Sequence, residues 1–187
     1  MQVHTVTLNK KMLSAMPETE RTLLLLLGHA SNEINVLSRL ILMVRKDPTP
    51  SEIVDHVEAG QAFIIIRLLI GKLHEAWELF KARFQSNRQL AENCVPQLKP
   101  EGRDSMETPN RYFGRSNSLT AIRNKVSFHY TDRDNLIERA FQDTSESEPL
   151  KFYLAKTVGN SFYHAAELVV ELSAINLTRT QADESVL

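Results

Sequence analysis

The sequence predicts an all-α protein, a bundle of about five helices with two long antiparallel ones first. Three observations carry this. Apolar residues recur at spacings of three and four over long runs, which is the period of one helix face. The prolines fall between those runs rather than inside them, where they end helices or join them. Period-two alternation, the mark of a half-buried strand, is confined to one short piece near residues 150–158.

Taken in order, residues 1–17 read as an irregular or extended entry ending near Pro17. A helix follows, with Glu18 and Glu20 suited to its positive N-terminal end. Leu23, Leu26, Leu27, Ala30, Ile34, Leu37, Ile41 and Val44 form its apolar face, and Gly28 and Ser31 mark a place for close packing. The helix should stop before Asp47-Pro48, since the residue before proline avoids the helical region. Thr49 or Ser51 then caps the longest helix, about 51–84, with Glu52 in its first turn. Ala62, Ile66, Leu69, Leu73, Ala76 and Phe80 make one stripe, and Phe63, Ile70, Trp77 and Phe84 make a second. A helix apolar on more than one face is central and buried, so Trp77 and the phenylalanines are assigned to the core.

Beyond Arg83 the pattern decays through Ser86-Asn87, with one short helix over Arg88–Cys94. Pro96, Pro100, Gly102 and Pro109 punctuate a polar stretch, and residues 95–117 read as the longest loop, either a lid or an inert surface excursion. Ser116 or Ser118 caps a helix over 118–128, anchored by Leu119, Ile122, Val126 and Phe128. Asp132-Arg133-Asp134 opens another short helix through Phe141. The last helix, about 160–175, points Phe162, Ala165, Ala166, Val169 and Leu172 inward and places Ser173 at a close helix contact. The chain thus divides into an entry segment (1–17), a helical domain (18–177) and a frayed tail (178–187).

Composition limits function. The apolar fraction of 42% and charged fraction of 24% belong to an ordinary globular protein. A net charge of −1 argues against coating nucleic acid over the whole surface, so RNA contact would need a local patch. One cysteine, Cys94, excludes an intramolecular disulfide and a cysteine-built zinc site. The runs Leu23–Leu27 and Phe63–Ile70 are too short to span a bilayer, and the first sixteen residues lack the apolar core of a secretory signal. A cytoplasmic protein that does not enter membranes is expected. His74-Glu75 begins like a zinc-protease helix, but Glu78 stands where the second histidine belongs. His164 and Glu167 share a helix face, but a di-iron bundle needs Glu-x-x-His pairs on two helices and the chain contains none. No phosphate loop, nucleophile elbow or dinucleotide turn is present, so no cofactor and no metal are expected.

One stretch carries chemistry, Ile122-Arg123-Asn124-Lys125-Val126-Ser127-Phe128-His129-Tyr130. Arginine can hold a phosphate through two parallel hydrogen bonds, and histidine can move protons near neutral pH. Five residues separate Arg123 from His129, and the first of them is the polar Asn124. In an all-α chain this resembles the signature of the HEPN superfamily: an arginine, usually a polar residue after it, and a histidine after four to six intervening residues. The resemblance covers the motif and the general helical order. It implies a metal-independent endoribonuclease working as a homodimer, with the motifs of two protomers facing across one cleft. Arg123 would bind the scissile phosphate, His129 would act as general base or acid on the ribose 2′-hydroxyl, and Asn124 would orient the phosphate or the imidazole. It also implies a toxin–antitoxin or defence setting, with a cognate antitoxin as partner.

Between Thr108 and Thr131 the chain carries Arg111, Arg115, Arg123 and Lys125 and no acidic residue, with Tyr112, Phe113 and Tyr130 interleaved. That composition suits phosphate contact with base stacking, and Arg111, Arg115, Lys125 and Tyr130 are the candidate RNA-binding residues. The other reading pairs Arg111 and Arg115 with the acidic segment after Asp132, and makes Arg123 a buried partner of Asp132, Asp134 or a glutamate. The alternative function is then a non-catalytic HEPN-like helical scaffold for protein or RNA. One subset of the superfamily carries a modifiable tyrosine two residues after the histidine. Here Thr131 stands at that position and Tyr130 comes one residue earlier.

Overall fold

The computed structural model describes residues 5–44, 51–127, 135–145, 149–156 and 161–184. Its α-helices are α1 (Lys10–Ala15), α2 (Glu18–Val44), α3 (Glu52–Phe80), α4 (Arg88–Cys94), α5 (Pro100–Phe113), α6 (Ser118–Ile122), α7 (Leu136–Gln142) and α8 (His164–Glu184). Among the described residues, the sole β pairing is an antiparallel bridge between Tyr153 and Phe162. The chain is all-α, as the periodicity predicts, with eight α-helical segments among the described residues rather than about five. None of these helices is long and apolar enough to cross a membrane.

α2 begins directly after Pro17 with Glu18 and Glu20 in its first turn, and the Arg21 N–H bonds the Pro17 carbonyl at 3.0 Å. Ser51 caps α3 by accepting from the Val54 N–H, and Glu52 and Asp55 occupy the first turn. The two helices run antiparallel. Leu23 near the start of α2 packs with Phe84 just past α3, and Glu33 pairs with Lys72 at 3.1 Å. α3 passes into a π-helical turn, Lys81–Gln85, before Asn87 caps α4.

Among the described residues, two clusters of buried apolar side chains stand out in the core. Leu23, Phe84 and Leu90 make one, surrounded by Leu27, Phe80, Ala91, Cys94, Val95 and Met106. Ile70, Ile122 and Ala174 make the other, flanked by Phe63 and Leu119, and it ties α3, α6 and α8 together. Each buried leucine, isoleucine or phenylalanine contributes about 1.5–3 kcal/mol relative to exposure. Of the two stripes on α3, the one spaced by sevens is the buried one: Ile70, Trp77 and the following Phe84 are all under a tenth exposed. Ile66 of the other stripe and Leu26 of α2 lie on the surface. They belong to a larger set of exposed apolar side chains, including Leu24, Leu25, Leu40, Leu42 and Met43 on α2 and Ile53 and Val54 on α3.

The structure corrects several boundaries. Residues 95–113 are not a loop: a 3-10 turn at Val95–Gln97 leads into α5. Pro100 sits at the first turn, where its missing N–H is not needed, and Met106 and Phe113 give the helix an apolar side. Pro109 lies inside α5 and forfeits one helical hydrogen bond. The entry segment contains α1, capped by Asn9, whose Oδ1 accepts from the Met12 N–H at 2.9 Å. Residues 178–184 continue α8 instead of fraying. Ser173 is where the pattern puts it, 1% exposed, with its hydroxyl donating to the Val170 carbonyl at 2.7 Å.

The N-terminal part of α8 is also held by packing on α3. Phe162 lays its ring against Gly60, where a side chain would collide with it. A groove of about 800 Å³ lies between α2, α3, α4 and α5, walled by Leu23, Trp77, Phe80, Phe84, Leu90 and Met106.

Candidate functional site

The motif is positioned from its back. Asn117 caps α6, accepting from the Thr120 N–H at 2.8 Å and donating from its amide nitrogen to the Arg115 carbonyl at 3.0 Å. Neither Ser116 nor Ser118 takes this place, because Asn117 is the residue that directly precedes the helix with extended backbone (φ −148°, ψ 154°), the geometry a cap requires. Ile122 is buried against Ile70 and Ala174, which fixes the face of the helix that Arg123 follows.

At Arg123 the helix widens into a π-helical turn, Arg123–Ser127. Such turns expose backbone groups and frequently lie at functional sites. Arg123 is half-buried; its Nη1 donates to Asn124 Oδ1 at 3.0 Å, and its Nε is buried without a hydrogen-bond partner. A buried donor left unmade costs about 1–3 kcal/mol, more when charged. The guanidinium therefore carries donor capacity that the described residues do not use. Asn124 is exposed, and Lys125 is half-buried. His129 and Tyr130 lie outside the described residues, as do Asp132 and Asp134, the carboxylates set against Arg123 in the other reading.

Arg111 and Arg115 are both exposed, Arg111 in the last turn of α5, where a cation suits the negative helix end. Among the described residues neither pairs with a carboxylate. Of the interleaved aromatics, Phe113 is committed to packing: it stacks on Trp77 with centroids 5.4 Å apart at 14°. It is therefore removed from the set available for base stacking. Tyr112 packs edge-on to Phe113 and places its hydroxyl 3.3 Å from that of Ser118, which couples α5 to the motif helix.

A second cluster escaped the sequence reading. His56 of α3 stacks on His164 of α8, with centroids 3.8 Å apart and planes 10° from parallel. Tyr153 places its hydroxyl 2.7 Å from His56 Nδ1, and Lys151 pairs with Glu52. His56, His164, Lys151 and Glu52 border a cavity of about 660 Å³ whose other walls include Asp143, Leu150, Leu168 and Leu172. No local signal could have joined them, because His56 and Tyr153 are 97 residues apart. Glu167, one turn along from His164, pairs instead with Arg67 at 2.9 Å. Among the described residues no group of three histidine, cysteine or carboxylate side chains is arranged to hold a metal. Comparison of the chain with protein-family models, curated proteins and solved structures returns no match.

Proposed function

We propose that the chain is a HEPN-like endoribonuclease, cleaving RNA through attack of a ribose 2′-hydroxyl on the neighbouring phosphate at a site built on Arg123 and His129. The observation that supports it most is the Arg123 guanidinium at the head of a π-helical turn, half-buried, tethered to Asn124 and with unused donor capacity. In this reading the outer face of the guanidinium takes the phosphate oxygens and stabilises the charge that grows on them. His129 moves the proton between the 2′-hydroxyl and the leaving oxygen, and Asn124 holds the guanidinium in plane. In this reading Arg111, Arg115 and Lys125 contact phosphates of the strand and Tyr130 stacks on a base. The nucleophile lies on the RNA itself, so the step needs no added metal or cofactor.

The working unit is a homodimer, for which the exposed apolar side chains of α2 and α3 provide material. The setting is cytoplasmic, in toxin–antitoxin or defence systems, with an antitoxin as the controlling partner. A second reading keeps the fold and drops the chemistry: a helical scaffold that binds protein through the apolar groove between α2 and α5. The deciding experiment is cleavage of varied RNAs in excess chelator by the wild type, Arg123→Ala and His129→Ala, each shown to fold by its melting curve. Chelator-resistant cleavage leaving 2′,3′-cyclic phosphate ends, lost in both variants, supports the enzyme. No cleavage, or equal traces from all three proteins, supports the scaffold.

A further inference from the structure

The histidine stack joins three separated parts of the chain. His56 lies in the second turn of α3, His164 is the first residue of α8, and Tyr153 belongs to the 149–156 segment that pairs with Phe162. We infer that the His56–His164 stack is an acid-released clasp: uncharged, it holds the starts of α3 and α8 together with the 149–156 segment, and protonation of both rings parts them and opens the adjoining cavity.

Neutral imidazoles at 3.8 Å attract through their faces, whereas two imidazolium ions at that distance repel. A proton on each ring would set two like charges face to face at that distance. The surrounding charges do not offset two added cations. On α3, Glu52 lies 3.9 Å from His56 Nε2 but is already engaged by Lys151. The 149–156 segment contributes that Lys151 cation and the Tyr153 phenol. Tyr153 serves either state of His56, donating to a neutral Nδ1 or accepting from a protonated one. On α8, Glu167 is taken by Arg67; Asp143, on the wall of the same cavity and hydrogen-bonded to the Asn176 amide at 2.7 Å, keeps its charge but among the described residues pairs with neither ring. His164 also stands in the first turn of α8, where the helix dipole opposes a cation.

Burial, followed by the nearby His56 and Lys151, holds the His164 imidazole below the ordinary histidine range. The sign follows. A base whose folded value is depressed contributes stability above its unfolded value and loses it as pH falls through the folded value. The clasp is therefore closed at neutral pH and weakens on acidification below the ordinary histidine value. What it releases is specific: the reciprocal bonds between Tyr153 and Phe162 at 2.8 and 2.7 Å, and the bond from the Ala165 N–H to the Lys151 carbonyl at 2.9 Å.

Amide hydrogen exchange on the full chain at about pH 7.5 and pH 5, corrected for intrinsic rates, tests this. Protection at Tyr153, Phe162 and Ala165 should fall by about tenfold or more on acidification, while Ile70 and Ala174 in the core hold theirs. His164→Asn and His56→Gln should each remove the difference. An unchanged pattern, an equal loss at the core amides, or a loss that persists in both variants would overturn the clasp. Should either variant fail to fold, imidazole titration of the wild type decides by itself. Two rings titrating independently at the ordinary value would refute the coupling, and two separated steps would support it.

Discussion

Gly60 and Gly28 form a matched test of the packing that holds α8 to α3. Both glycines lie inside long helices, so alanine at either should gain about 0.8–1 kcal/mol from helix propensity alone. Their surroundings are opposite. A Cβ at Gly28 meets nothing within 4 Å, whereas one at Gly60 collides with Phe162 Cζ and lies 3.0 Å from Cε2 and 3.3 Å from Cε1. The ring would have to swing away, and overpacking of this kind costs about 1–3 kcal/mol. Gly28→Ala should therefore stabilise by about 0.5–1 kcal/mol, and Gly60→Ala should be neutral or destabilising by up to about 2 kcal/mol. Urea denaturation curves give both numbers, and the separation between the variants is the quantity of interest. Repeating Gly60→Ala on a Phe162→Ala background completes a double-mutant cycle in which the penalty should vanish. If Gly60→Ala is as stabilising as Gly28→Ala, or if its penalty survives without the ring, the assigned contact is wrong.

Three further outcomes are expected. Pro109→Ala should restore a helical hydrogen bond in α5 and raise stability by about 1–3 kcal/mol in urea melts, an unchanged midpoint counting against a regular helix there. Trp77→Ala should cost about 3–5 kcal/mol, since it empties a buried site and removes the stacking partner of Phe113; a loss below about 1 kcal/mol would contradict the burial of Trp77. The Glu171 carboxyl is pushed above its ordinary value by burial and then by Glu167. A raised folded value means the contribution is favourable in acid and lost as pH rises through that value. Glu171→Gln should thus raise the Tm by about 1–3 °C at pH 7 and leave it unchanged near pH 4, and a gain of equal size at both would rule out the charge as its cause.

The long helices were legible because their apolar residues repeat at helical period over several turns, and the Pro48-Thr49-Pro50-Ser51 break separates them cleanly. α5 was not, because two prolines and a glycine in fourteen residues read locally as loop. Its actual support comes from Met106 and Phe113 meeting residues distant in sequence, a tertiary contribution that overrides propensity. The sequence points to Ser116 or Ser118 rather than Asn117 as the cap, since serine and asparagine both cap well and only geometry separates the three positions. Arg123 and Asn124 could be singled out from residue types and spacing, and the structure adds the buried, unpartnered Nε. The histidine stack joins positions about a hundred residues apart, which no window on the sequence brings together.

The π-helical turn at Arg123–Ser127 changes how the motif spacing converts into direction. In a regular α-helix each residue advances the chain by about 100°, and the residue four places on returns to the same face. Bonding to the fifth residue instead of the fourth spreads one turn over an extra position, so the chain leaves this turn rotated relative to a helical wheel drawn from Arg123. Deleting one residue within 123–127 would remove the extra position that this wide turn absorbs and let a regular helical turn form in its place. Net charge could be kept and the core at Ile122 left in place. Arg123 would remain in the sequence, but the widened turn that now begins at it would be gone.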